Sequence, residues 1–176
     1  MKKILLILNC LLLLTSCGKE FAEDDNLSMI RTNYDGNELK TNGYYYTIFE
    51  GRLDNFSFFY KNGVYLDVGG SKNNFQDASN YITNFFLIER SHQNMKDGWG
   101  IFKIQGDNIG YERWKATELG RKAYTRTGKI LNDTTFIVTT SFRAGDGFSK
   151  EIKKINETYY FKKFSPKPDS LNIYVR

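Results

Sequence analysis

Histidine occurs once in this sequence and cysteine twice, and those scarcities close off most of the nucleophilic and metal chemistry that a chain of this size could carry. A Ser-His-Asp arrangement would have to use His92. That residue sits in the polar stretch Ser91-His92-Gln93-Asn94-Met95-Lys96-Asp97-Gly98, which reads as a solvent-exposed loop. A long apolar run is also missing: the stretch from Ile4 to Leu14 is broken by Asn9 and Cys10 and falls well short of the ~20 residues that a transmembrane helix needs. Glycines are plentiful but not arranged for phosphate. Gly69-Gly70-Ser71 and Gly145-Asp146-Gly147 lack both a following Gly-Lys-Ser/Thr and a strand-to-helix frame. Asp146 alone supplies too few oxygens for calcium, which takes about six to eight. No cofactor and no metal site is expected.

What is present begins at the N-terminus. Lys2 and Lys3, the short apolar run and Leu14-Thr15-Ser16-Cys17-Gly18 follow the order of an export signal rather than of a fold element. Leu14 to Cys17 resemble the bacterial lipobox, which implies removal of residues 1–16 and lipid on Cys17. Cys10 then leaves with the leader and Cys17 carries lipid, so no thiol remains for nucleophilic catalysis, for a Cys/His metal site or for a disulfide within the chain. Stability has to come from a core, and 12 Tyr, 14 Phe and 2 Trp can build one, most simply as a single domain over 41–176.

Residues 17–40 have no periodicity and are rich in Glu, Asp and Asn, which reads as a flexible tether. Glu20, Glu23, Asp24 and Asp25 resemble the acidic export signal of Bacteroidetes lipoproteins, which implies the outer membrane, on its periplasmic or cell-surface face. Read without that resemblance, the cluster is a solvated linker. The formal net charge of +5 hides an asymmetry: residues 113–176 hold 14 basic and 6 acidic side chains. A basic C-terminal third can attract an acidic protein partner, phosphate head groups or anionic glycans; the alternative is lysines on the solvent faces of strands.

From Thr41 onward, short aromatic and β-branched runs alternate with Asn, Gly and Asp punctuation, the pattern of an antiparallel sheet with tight turns. The spacing predicts strands near 43–50, 55–61, 63–69, 99–105, 108–115, 122–131, 134–142 and 157–164, with 171–175 as a ninth. Lys61-Asn62-Gly63, Gly106-Asp107-Asn108 and Asn132-Asp133 supply turns, since Asn and Gly tolerate positive φ. Between the third and fourth strands, Phe75, Ala78, Ile82, Phe85, Phe86 and Glu89 fall at helical spacing, so a helix is expected over about 74–90, capped by Asn73 or Asn74. The expected fold is mainly β, a meander of eight or nine strands closed into a lipocalin-like barrel with one helix. Closure removes the sticky edges of so aromatic a sheet.

The blocks Trp99 to Trp114 and Gly128 to Phe136, with the tail Tyr159 to Phe164, resemble those of small uncharacterised Bacteroidetes lipoproteins with lipocalin-like β-barrels. That resemblance spans about residues 41–165 and implies the barrel, but it carries over no functional residues. Asp133-Thr134-Thr135 and Asp169-Ser170-Leu171 resemble the loose O-glycosylation tripeptide of exported Bacteroidetes proteins.

Aromatic side chains are the candidate ligand contacts. Tyr44, Tyr46 and Ile48 share one strand face, with Tyr45, Thr47 and Phe49 on the other. Glu112 and Trp114 point the same way, opposite to Tyr111 and Arg113, and anchor a polar ligand if that face lines a barrel interior; otherwise they decorate the outside. Tyr44, Tyr46, Trp99, Glu112 and Trp114 form the expected ligand-binding set, with core packing as the competing role of every aromatic. A glycosidase would need two carboxylates at a suitable separation, and Asp107, Glu112 and Glu118 are the candidates beside predicted hairpins. Nucleic-acid stacking on Tyr159-Tyr160-Phe161-Lys162-Lys163 is opposed by export. The sequence thus points to a non-enzymatic module, tethered to the membrane through Cys17, for a small apolar or amphipathic ligand or a glycan. The alternative is an interaction protein, an accessory subunit of an outer-membrane complex or an inhibitor of a secreted enzyme.

Overall fold

The computed structural model describes residues 24–84, 91–144 and 151–176. The expected leader, Cys17, Glu20, Glu23, the second half of the expected helix (85–90) and the turn Gly145-Asp146-Gly147 lie outside the described residues. Eight strands form a closed antiparallel barrel in sequence order: β1 (Gly43–Phe49), β2 (Arg52–Phe59), β3 (Val64–Asp67), β4 (Trp99–Gln105), β5 (Asn108–Thr117), β6 (Gly120–Asn132), β7 (Thr135–Ala144) and β8 (Lys153–Lys163). This is the lipocalin-like barrel with one helix. The ninth strand does not form. Residues 171–175 run as an irregular tail whose polar groups bond to a loop rather than to a strand, Asn172 Nδ2 donating to the Met95 carbonyl at 2.7 Å.

The turns at one end, between β2 and β3, β4 and β5, and β6 and β7, are the tight ones that the Asn and Gly residues dictate. Gly63 shows why: its φ is +79°, and a Cβ there would collide with the carbonyl oxygen of Thr32. At the other end lie the β1–β2 hairpin, the long β3–β4 connection, the β5–β6 turn and the β7–β8 connection. The β3–β4 connection carries α1 (Phe75–Ile82). Asn74 caps that helix, its side-chain oxygen accepting the Asp77 amide at 2.9 Å, which satisfies one of the otherwise unpaired N–H groups of the first turn.

Strand alternation sorts the aromatics into two cores. Inside the barrel, Tyr45, Phe59, Tyr65, Phe102, Tyr111, Phe136 and Tyr159 pack together, none more than 1% exposed. Phe59 meets Phe102 at 5.0 Å and Phe136 at 5.7 Å between ring centroids; since Phe136 is on β7 and Phe59 on β2, that contact crosses the lumen. The second core lies outside, on β1 to β5, where Tyr44, Phe56, Phe58, Leu66, Trp99, Ile101 and Trp114 are covered by Ala78 and Ile82 of α1, by Phe164 and Val175 of the tail, and by Leu27 and Met29. His92 belongs to this layer. It is buried, 3% exposed, and stacks on Trp99 at 5.8 Å with the rings nearly parallel, so the exposed loop histidine expected from its polar neighbours is corrected by one aromatic contact.

Residues 24–42 differ from the flexible tether that their composition suggests. They form an irregular strap seated on the barrel, because the acidic side chains find specific partners. Lys96 pairs with Asp24 at 3.1 Å, and Asp25 takes Arg143 at 3.2 Å and Lys122 at 3.4 Å. Burial raises the Asp25 pKa, but Arg143 and the Ala123 amide more than offset it and hold the carboxyl below its ordinary range. Further along, the amides of Ser28 and Met29 donate to one Glu112 oxygen at 2.8 and 2.7 Å. The strap then reaches the tight-turn end, where Tyr34 packs on Phe102 at 5.5 Å and Leu39 is buried, plugging that end of the barrel.

Candidate functional site

The wall of the barrel parts at one seam. β1 and β8 pair from Gly43 opposite Lys163 to Tyr46 opposite Tyr160. Beyond that point β1 follows β2 to Phe49 and β8 follows β7 back toward Lys153. An irregularity in the β1–β2 register after Tyr45, with Asn55 at a φ of +51°, adds the local twist that a β-bulge produces. Between the diverging strands lies a cleft of about 510 Å³ lined by Thr47, Ile48, Phe49, Asp54, Asn55, Asn156, Glu157, Thr158 and Tyr160.

Behind the cleft, the interior changes character. The rings of the plugged half end in a belt of hydroxyls: Ser57 and Tyr65 oxygens lie 2.8 Å apart, and Tyr111 donates to Tyr159 at 3.4 Å. Past the belt the inward positions are charged. Arg126 donates to Glu157 at 2.6 Å and to the Tyr159 hydroxyl at 3.2 Å; Arg113 pairs with Asp67 at 2.8 Å. Burial alone would lower the Arg126 pKa, but Tyr111, Tyr159 and Glu157 outweigh it and push it up, so this cation is permanently charged. Asp54 moves the other way: burial, then the negative charges of Asp67 and Glu157, raise its pKa. Thr47 Oγ1 accepts from Asn55 Nδ2 at 3.3 Å, which orients the amide at the lip. The cleft therefore presents carboxylates, an amide and hydroxyls beside the rings of Tyr160 and Phe49.

None of the five residues expected to bind ligand lines this cleft. Tyr44, Trp99 and Trp114 are fully packed in the outer core. Tyr46 packs edge-on against Phe75 of α1 at 5.2 Å and tilts toward Tyr160 at 6.0 Å, so it backs the cleft from outside. Glu112 and Trp114 do share a face, but it is the outer one, and the strap covers it: Trp114 Nε1 donates to the Asp25 carbonyl at 2.6 Å. Asp107, Glu112 and Glu118 do not meet either. Asp107 is exposed and paired with Lys129, Glu112 is buried under the strap, and Glu118 is exposed at the opposite end of β5. Two carboxylates that sequence reasoning passed over, Asp54 and Glu157, are the ones that share a cleft. The signal that could have found them is a charged residue at an inward position of a strand, as in Val64-Tyr65-Leu66-Asp67, where alternation puts Asp67 beside Tyr65.

The basic C-terminal third is partly consumed internally. Lys122 and Arg143 hold the strap, Arg126 is inside the barrel, and Lys167 is half-buried, donating to the carbonyls of Thr41 at 2.6 Å and Phe59 at 3.0 Å. Among the described residues no group of three or more His, Cys, Asp or Glu gathers as a metal site, and no helix is long and apolar enough to cross a membrane. No family model matches the chain, and comparison with curated proteins and with solved structures found no match.

Proposed function

We propose that this chain is a membrane-tethered, non-enzymatic binding module that takes a small amphipathic ligand, a glycan fragment in the first instance, in the cleft between β1 and β8. The observation that carries this reading is the parted seam: polar side chains on both lips lead to a half-buried charged floor, with exposed rings at the edge. Planar carboxylates and amides suit the paired hydroxyls of a sugar, and an aromatic face suits the C–H face of its ring. Tyr160 is 40% exposed, so its ring is free to stack. A fully apolar ligand is disfavoured by the packing of the plugged half, where seven rings already fill the lumen. The lipobox at Leu14 to Cys17 supports the tether, and the acidic residues after it support the outer membrane of a Bacteroidetes cell as its place.

The test is native mass spectrometry of residues 18–176, produced without the lipid and compared before and after denaturation, followed by a glycan array. Retained mass, or array binding that falls at least tenfold with Tyr160→Ala, supports the module. A clean apo mass together with a blank array would overturn it. A protein-interaction reading is favoured by a different aspect of the same seam. The strand edges past Tyr46 and Tyr160 have no neighbouring strand among the described residues, and an extended segment of an acidic or neutral partner could add there. Cross-linking on intact cells that returns one partner at the seam would shift the assignment to an accessory subunit or inhibitor.

A further inference from the structure

We propose that the barrel sits with its open end, the end bearing the β1–β2, β3–β4 and β5–β6 connections, against the bilayer surface, so that the cleft opens toward the membrane. This rests on lipid attachment at Cys17. Two independent observations carry the orientation.

The first is where the strap begins. Its first anchored residues are locked beside the start of β6: the Asp25 amide donates to the Arg121 carbonyl at 2.8 Å, and the Arg121 amide donates to Asp24 Oδ1 at 2.8 Å. Arg121 immediately follows the β5–β6 turn, at the open end. Six residues, 18 to 23, and so seven Cα–Cα steps, separate the lipid-bearing cysteine from Asp24. Even fully extended, at roughly 3.5 Å each, they reach about 25 Å. The strap then runs away from that end, past Glu112 and on to Gly63, so the lipid and the plug are at opposite ends of the barrel.

The second observation is what the open end exposes. Ile48 is 58% and Phe49 62% exposed at the β1–β2 hairpin, Leu119 53% in the β5–β6 turn, and Ile152 60% at the approach to β8. Three separate connections thus present large apolar side chains at one end, each beside an exposed carboxylate (Glu50, Glu118 and Glu151), with the exposed cations Arg52, Lys115, Lys153 and Lys154 set just behind them. Apolar tips backed by Lys and Arg are the arrangement of proteins that rest in a membrane interface. The tether holds these tips within reach of the lipid from which it hangs.

The experiment uses the full-length chain, exported, lipidated and reconstituted into phosphatidylethanolamine–phosphatidylglycerol vesicles. With Cys17 acylated, a cysteine introduced elsewhere is the one free thiol. Single variants Phe49→Cys, Leu119→Cys, Ile152→Cys, Leu131→Cys and Ile173→Cys carry a fluorophore, read against a lipid-phase quencher and an aqueous one. The rim labels at 49, 119 and 152 are expected to be quenched at least twofold more by the lipid-phase reagent than by the aqueous one. Leu131, at the plugged end, and Ile173, on the tail, are expected to show the reverse. Rim labels as wet as Leu131 on a chain that still floats with vesicles, or lipid contact at Ile173 instead, would overturn the orientation alone. A wild-type chain without acyl mass on Cys17, or a Cys17→Ala variant that floats equally well, would overturn the anchor and the orientation with it.

Discussion

The two halves of the lumen are made by the same eight strands and filled by opposite chemistry. In the plugged half, rings need no partner of their own, so Phe59, Phe102, Phe136 and Tyr159 can be pushed together until no space remains; Phe136 and Tyr159 stack at 4.6 Å. In the open half, each charged side chain must bring its counter-charge and its hydrogen bonds or be expelled. Arg113 brings Asp67 and Arg126 brings Glu157. Pairs held in fixed directions cannot fill volume as rings do, and a cleft is left between the strands. The hydroxyls of Tyr65, Tyr111 and Tyr159 mark the boundary, each presenting its ring to one half and its oxygen to the other.

The sharpest way to test that division is to remove a group from each side. Phe59→Ala should be the most damaging single change, since Phe59 touches rings from several strands and the space left cannot be refilled: a loss of about 3–5 kcal/mol in urea unfolding is expected. A loss below about 1 kcal/mol would mean that the plugged half is loosely packed. Arg113→Leu should cost slightly less, about 3 kcal/mol, by leaving Asp67 buried without a counter-ion. The double variant Arg113→Leu with Asp67→Leu should recover most of that loss, which Phe59→Ala has no partner to do. Failure of the double variant to recover would make the pair net stabilising rather than merely mutually dependent.

The strap gives a smaller effect with a pH signature. Because Arg143, the Ala123 amide and Lys122 depress the folded pKa of Asp25, its stabilisation is fully present above the unfolded value of about 3.9 and is lost as the pH falls through the folded one. Asp25→Asn should therefore lower stability by about 1–2 kcal/mol at pH 7, with the gap to wild type closing in strongly acid solution. Limited proteolysis of residues 24–34 reads the same event locally. A gap that is constant with pH would show that the carboxylate charge is not what holds the strap.

How much of this was legible in the sequence follows from the range of the interactions. The barrel was readable because period-2 alternation and Asn/Gly turns are local: Gly63 and Gly106 stand where the chain must reverse. The helix start at Asn74 was readable for the same reason. The site was not. Tyr44, Trp99, Glu112 and Trp114 were the natural choices as polar or aromatic residues on one strand face, but which face is inside depends on closure over all eight strands, and the answer is the face of Tyr45 and Tyr111. Asp24 and Asp25 read as linker because their partners, Arg121, Lys122, Ala123 and Arg143, are about a hundred residues away, the Asp25–Arg143 separation being 118. His92 looked exposed among polar neighbours because the residue that buries it, Trp99, lies beyond the loop.

The smallest expected effect on stability belongs to the cleft itself, and that is its diagnostic. Tyr160 is 40% exposed; it tilts against Tyr46 and borders the cleft, but neither core closes over it. Tyr160→Ala should therefore shift unfolding by no more than about 1 kcal/mol, close to the range of surface substitutions. An aromatic side chain at the edge of a polar cleft, in a barrel that does not need it for packing, leaves its ring open to what it meets from outside. Glu157→Gln completes the comparison, since it keeps the shape while weakening the hold on Arg126. If both variants remain folded and lose ligand together, measured by the same array or mass-spectrometric readout, the open half is the functional half. If Tyr160→Ala unfolds the protein as severely as Phe59→Ala, the seam is part of the core and the division of the lumen into a packing half and a binding half fails.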